Sequence, residues 1–362
     1  MRGNYLILIA LLLFTFLTLQ CKKNPTPPPT PGYTNPNKLT WAVDTLAEPR
    51  AIQTMIQTIW GTASDNIYIS GRGITSMTDR RWDGNIWLYS KIHVQQGGTI
   101  TGAYNIAEIW GLDVNNIWAV GDFSDLNPSP PPNFIEWGML LHYDGIEWRD
   151  LNLGKENPRL KGVWGRDSDE IWAVGDSGSY YLIKSDSIIH GKLDSDAQLL
   201  TVGGDQNDVF IMGLRWPATG NITNFCFQKI DSNWEKIAEY QNGDEPLFGV
   251  ADIYSPLDGI IYSVGDGIFR WNNNSWIKDF DQVLAITAIS GASENYIWAV
   301  GPGGVLLHWD GVVWNHISLP AGVPSDIELT DVWTDGYETF ICGWAPNGQW
   351  AGGIDSYILR GK

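Results

Sequence analysis

Between residues 122 and 137 the chain sets three carboxylates, Asp122, Asp125 and Glu136, among three aromatic rings, Phe123, Phe134 and Trp137. Rings of this kind stack on sugars or extended peptides, and carboxylates accept hydrogen bonds from hydroxyls and amides. Trp216, Trp344 and Trp350 fall in two further insertions, and Arg72 follows a repeat glycine, so these ten positions form the candidate ligand-binding set. Paired carboxylates such as Asp122 and Asp125 also have the chemistry of glycoside hydrolysis. Their segment, however, contains Pro128 and Pro130 to Pro132, a poor platform for tightly held geometry. His142 and His308 sit in copies of one motif, whereas a catalytic base is singular; His93, His190 and His316 lack metal-ligand spacing. No G-x-S-x-G or phosphate-binding glycine loop is present, so catalysis is not favoured. Asp122, Asp176 and Asp266 each follow a repeat glycine and have the oxygen chemistry for Ca²⁺. Without a D-x-D-x-D-G run, a turn-forming role suits them better, and no cofactor is expected.

What positions these residues is a repeat. Trp110-Gly111 with Ile117 to Gly121, Trp164-Gly165 with Ile171 to Gly175, and Ser290-Gly291 with Ile297 to Gly301 are the clearest copies; weaker ones end at Gly71, Gly213, Gly265 and Gly343. The seven glycines recur about 45 residues apart, a period that suits a four-stranded blade. The expected architecture is all-β, a seven-bladed β-propeller. Within I-W-A-V-G both faces of the strand are apolar because each blade lies between two others. A second signature, Leu140 to Trp148, returns as Leu306 to Trp314, with Asp-Gly turning the third strand into the fourth. The last repeat runs out at Tyr357 to Lys362, so the segment Leu39 to Leu46, with Trp41, is expected to supply its fourth strand and close the ring. Second-to-third connections leave on one face, and the insertions at 122 to 137, 214 to 222 and 344 to 352 all belong to that class. Repeats seven, one and two become neighbours on closure, so the loops at 344 to 352 and 122 to 137 are expected to flank one cleft, with Arg72 between them. The many tryptophans at equivalent positions are read as blade packing.

The W-G…I-W-A-V-G…L-L-H-[YW]-D-G-x-x-W pattern over residues 39 to 362 resembles a loosely defined group of exported bacterial propeller-repeat lipoproteins. These are distantly similar to photosystem II stability factor-like and sialidase-type propellers. The resemblance implies the fold and says little of activity. The sialidase Asp-box and the WD-repeat and kelch signatures are absent, so the partners of those families do not transfer.

Arg2 and the apolar run Tyr5 to Leu19 read as a signal peptide, 1–20. Cys21 then resembles a lipoprotein's lipidated first residue, although Leu19 and Gln20 are larger than that family's usual residues there. Residues 21–38, proline-rich through Pro31, read as an extended tether, and 39–362 as the propeller. Cys226 and Cys342 fall in distant repeats and are not expected to pair. A formal charge of −18 makes nucleic acid an improbable partner. The expected function is a non-catalytic, membrane-anchored, monomeric scaffold outside the cytoplasm that binds a protein or peptide. The alternatives are polysaccharide binding, lectin-like, through Trp137, Trp216, Trp344 and Trp350, and glycan cleavage.

Overall fold

Strands dominate the computed structural model, which describes residues 32–46, 54–73, 80–82, 87–89, 93–94, 98–99, 103–126, 134–280, 282, 284–348 and 353–362. For residues 54, 72–73, 80–82, 87–89, 93–94, 98–99, 103–104, 125–126 and 134 only backbone is described. The signal segment, Cys21 and the tether as far as Pro31 lie outside the described residues.

The strands form seven antiparallel meanders, numbered here as sheets one to seven in chain order. Their first strands are Thr54–Ala63, Ala103–Asp113, Leu160–Asp167, Ala197–Gly204, Asp252–Leu257, Ala288–Ser293 and Glu328–Thr334. Second strands such as Tyr296–Gly301 are buried along their whole length because another sheet covers each face. Outermost strands such as Ser187–Lys192 are largely exposed. The hairpins between third and fourth strands use the expected Asp-Gly chemistry. Asp144 Oδ1 accepts from the N–H groups of Ile146 and Glu147, both at 3.0 Å, while Gly145 takes φ +90°.

Sheet seven consists of the last three strands plus Trp41–Leu46, which pairs antiparallel with Ile354–Gly361 from Trp41 opposite Gly361 to Leu46 opposite Ser356. The N-terminal residue pattern therefore does supply a fourth strand. Packing begins earlier still: the Tyr33 hydroxyl donates to Ala292 O at 3.2 Å, and its ring meets Tyr296 at 5.1 Å. Sheet two departs from the four-stranded expectation. His93–Val94 joins its outer edge in parallel through Trp148, and Gly98–Thr99 pairs with that strand, giving six. These two-residue strands have no periodicity a sequence reading could detect.

The first strands run side by side. In sheets one, two, three, four and seven each carries a bulge, as between Ile56 and Thr58 or Leu329 and Asp331. A bulge re-aims the following side chain; in sheets one, two and seven that side chain ties adjacent sheets together, and Asp252 at the start of sheet five's first strand makes the same link. Thr58 Oγ1 accepts from Ile109 N–H (3.1 Å), Glu108 Oε2 from Val163 N–H (2.7 Å), and Asp252 Oδ2 from Ile289 N–H (2.9 Å). Asp331 Oδ2 does the same for Ile59 N–H at 2.8 Å, linking sheet seven to sheet one. Between the sheets lie separate apolar clusters. Cys226 and Cys342 are free and buried, and burial pushes the Cys226 thiol up to about 12.

Candidate functional site

The insertion in sheet two is a continuation of the sheet rather than a loop. Its second strand runs Asn116–Leu126 and its third Phe134–Tyr143, paired from Phe134 opposite Leu126 downward. Ala103 to Asn105 of the first strand pair with the same extension. A sequence rich in proline reads as loop, yet all the prolines fall in 127–133, outside the described residues, and alternation on either side carries the ladder on.

This extension gathers several candidate residues. Phe123 and Trp137 are cross-strand partners with ring centroids 4.7 Å apart, and Lys155 Nζ lies 4.7 Å from the Trp137 ring. Asp122 Oδ1 accepts from Asn105 Nδ2 at 3.0 Å. Glu136 faces Arg159 at 3.7 Å, and Arg159 in turn bonds Asp176 at 3.0 Å. Burial opposes the charge on Arg159, but Asp176, helped by Asp122 and Glu136, outweighs it and holds the guanidinium pKa above its usual value. Asp176 also faces Lys161 at 3.4 Å, so cationic side chains already occupy one carboxylate of the Ca²⁺ reading. Among the described residues no three His, Cys, Asp or Glu side chains converge as a metal site.

The remaining candidates are dispersed. Asp125 and Phe134 lie on the extension, where only their backbone is described, and the Arg72 backbone pairs with Met55 in sheet one. Trp216 follows the second strand of sheet four and is 69% exposed. Half-buried Trp344 stands in sheet seven opposite Glu328 and Ser356. Trp350 lies outside the described residues.

A second arrangement escaped the sequence reading. All seven first strands contribute to a common cavity of about 150 Å³, and a second cavity of about 250 Å³ opens towards their C-terminal ends. Glu108, Asp252 and Asp331 line both, forming a belt of carboxylates between them. Burial, aided by the charge of Asp331, pushes Asp252 up to about 8 against its N–H bonds from Ile289 and Ile253. Burial likewise carries Asp331 to about 7, and burial plus the other two carboxylates raises Glu108 well above the ordinary range.

Around the 250 Å³ cavity stand Trp60, Trp110, Trp164, Tyr254 and Trp333, one from each of five first strands. Register shows these positions to be equivalent: each lies opposite an aromatic of its second strand, as Trp110 does Trp118 and Trp164 does Trp172. Gly203 and Ser290 fill the same position in sheets four and six. Trp60, Trp110 and Trp164 are the tryptophans of W-G, read from sequence as packing. They do pack, and they also line a cavity, a second role that no spacing signal distinguishes from the first.

No family model matches the sequence, and no curated protein is similar to it. Solved structures are. One described as YCF48 bound to D1 peptide superposes with a TM-score of 0.57 at 15% identity, covering 90% of this chain and 97% of that one. The fold is a β-propeller. YCF48 from Cyanidioschyzon merolae gives 0.54 at 14% identity over 88% and 98% of the two chains. The WD40 propeller domain of Doa1 gives 0.51 at 11% over 88% and 97%. The sequence lacks WD-repeat signatures, so this last likeness is one of architecture.

Proposed function

We propose that the protein is a non-catalytic binding propeller that takes an extended peptide segment of a protein partner along the sheet-two extension. The observation that carries this reading is an edge. Strand Trp148–Asp150 pairs with the third strand only at Leu141 to Tyr143, and Asn157 O takes the Gly138 N–H at 2.9 Å, so among the described residues the third strand runs on from Trp137 to Phe134 without a fourth strand beside it. An edge of this kind offers backbone N–H and C=O groups to an added strand, with alternate side chains giving specificity. Trp137, Phe123 and Lys155 would supply the side-chain contacts. That a similar propeller, YCF48, has been seen bound to a peptide supports the class of partner.

The rest of the reading follows from the chain. Seven sheets form a closed ring sealed by Trp41–Leu46; a leader at 1–20 exports the chain, lipid on Cys21 anchors it, and the proline-rich tether lifts the ring from the membrane outside the cytoplasm. To test binding, the full chain would be compared with a version in which residues 123 to 136 are replaced by a Gly-Ser turn, in pull-downs from extracytoplasmic extract. Specific capture lost in the trimmed protein, with circular dichroism unchanged, supports the extension as the docking edge. Equal capture by both proteins overturns it.

A further inference from the structure

We infer that the aromatic-walled end of the central cavity is a separate binding site for a small organic cation, an alkylammonium or guanidinium group. The floor of the site is the belt of Glu108, Asp252 and Asp331, which reaches this cavity as well as the one behind it. Each carboxylate gives one oxygen to a neighbouring sheet's backbone N–H, and Asp252 and Asp331 use the other on their own following residue. A carboxylate offers about four lone-pair sites, so acceptor capacity remains. Negative charge drawn back from bulk water into a cavity favours a cation or a proton. Lys161, the cation nearest the belt on the far side, is drawn instead towards Asp176. Gln57 Oε1, buried and without a hydrogen-bond partner, adds a further acceptor lining the cavity behind the belt.

The walls select the kind of cation. Five partly exposed aromatics attract positive charge through their ring quadrupoles, an attraction that strengthens away from water. The three carboxylates do not converge closely enough to ligate one metal ion, so the occupant is broader than a bare ion. A volume of about 250 Å³ falls below the roughly 300–1,000 Å³ of sites for drug-sized ligands, which suits a single head group on a short stem. Seating it ionises the belt and releases a proton. The titratable groups facing the site are the three carboxylates, which repel one another, Tyr254 at the mouth, Cys342 behind Asp331 and Lys161 on the far side.

The test is isothermal titration of the full chain with n-butylguanidinium and n-butylammonium, with uncharged n-butylurea as the matched control. Saturable binding of a cation at pH 8.5, about tenfold weaker at pH 5.5 and absent for the urea, is the expected result. The heat should also vary with the buffer's ionisation enthalpy, because a proton is released. Glu108→Gln keeps an acceptor for Val163 and should weaken binding about tenfold at an unchanged melting temperature. Trp164→Leu tests the wall without touching the belt and should weaken it comparably. Equal binding of the urea, undiminished binding by both variants, or no saturable heat from either cation overturns the inference. None of these outcomes bears on peptide capture by the sheet-two edge.

Discussion

His142 and His308 hold the same repeat position but meet different neighbours. In sheet two, Asn116 Oδ1 lies 3.0 Å from His142 Nε2 and accepts from Trp118 Nε1 at 2.7 Å, while the histidine stacks on Trp118 at 4.1 Å. Sheet six has Tyr296 where sheet two has Asn116. His308 accordingly packs edge-on against Tyr296 and Trp298, and its Nε2 has no hydrogen-bond partner. Burial lowers its pKa from 6.5 to about 4, against the pull of Asp310. The folded protein thus keeps His308 neutral where the unfolded chain takes up a proton. As pH falls from 6.5 to 4 the unfolded state binds more protons and stability declines, by up to about 3 kcal/mol from this group. His308→Phe should remove that part of the decline, so that urea unfolding of wild type and variant diverges progressively below pH 6.5. The carboxylate belt titrates alike in both proteins and cancels in the difference. Parallel stability curves over this window would refute the buried-histidine account.

The W-G pair shows what a single element does. A Cβ added to Gly111 would sit 2.8 Å from the Trp60 ring, and one added to Gly61 would sit 3.2 Å from Trp333. Each tryptophan therefore reaches across to the glycine of the following sheet, and the dipeptide is an interlock in which one half of each pair serves its neighbour. Gly111→Ala should cost about 1–3 kcal/mol, through overpacking against Trp60 and the backbone of Asn116, as read by chemical denaturation. A variant combining it with Trp60→Leu should recover part of that loss, because the clash is with the ring. The repeat was legible in sequence because packing demands the same residues in every copy. That demand also hid the cavity: Trp60, Trp110, Trp164 and Trp333 look identical whether or not a side chain also lines a cavity. The belt was illegible for the opposite reason, since Thr58, Glu108, Asp252 and Asp331 share a register position, each opposite the residue before the repeat glycine, but not a residue type. Prolines concealed the paired strands of the sheet-two extension, and Trp216 and Trp344, grouped with Trp137 because all three insertions join second to third strands, belong to sheets four and seven.

Across the whole molecule, the N-terminal strand meets the last residue of the chain. Thr40 and Lys362 exchange backbone hydrogen bonds in both directions, at 2.8 and 3.1 Å, and the strand that follows Thr40 covers Ile354–Gly361. A pair bonded in this way is the geometry that a two-residue hairpin closes. Joining Lys362 to Thr40 through Asn-Gly, and opening the chain at the Asp310-Gly311 turn, should give a permuted protein that still unfolds cooperatively. Deleting residues 32–46 instead would bare the edge of Ile354–Gly361 and strip Trp41 and Val43 from the cluster around Trp298 and Leu359. Both proteins lack the contacts of Tyr33, so comparing them isolates the strand. Calorimetry should place the permuted protein's transition near that of wild type and the deletion's at least about 10 °C lower, a drop of several kcal/mol at this chain length. Size-exclusion chromatography should show the deleted protein self-associating, because an uncovered strand pairs with whatever edge it meets. If the deletion melted with the permuted protein and stayed a monomer, Trp41–Leu46 would be a passenger on sheet seven, and the last three strands would have to hold their place by face packing alone.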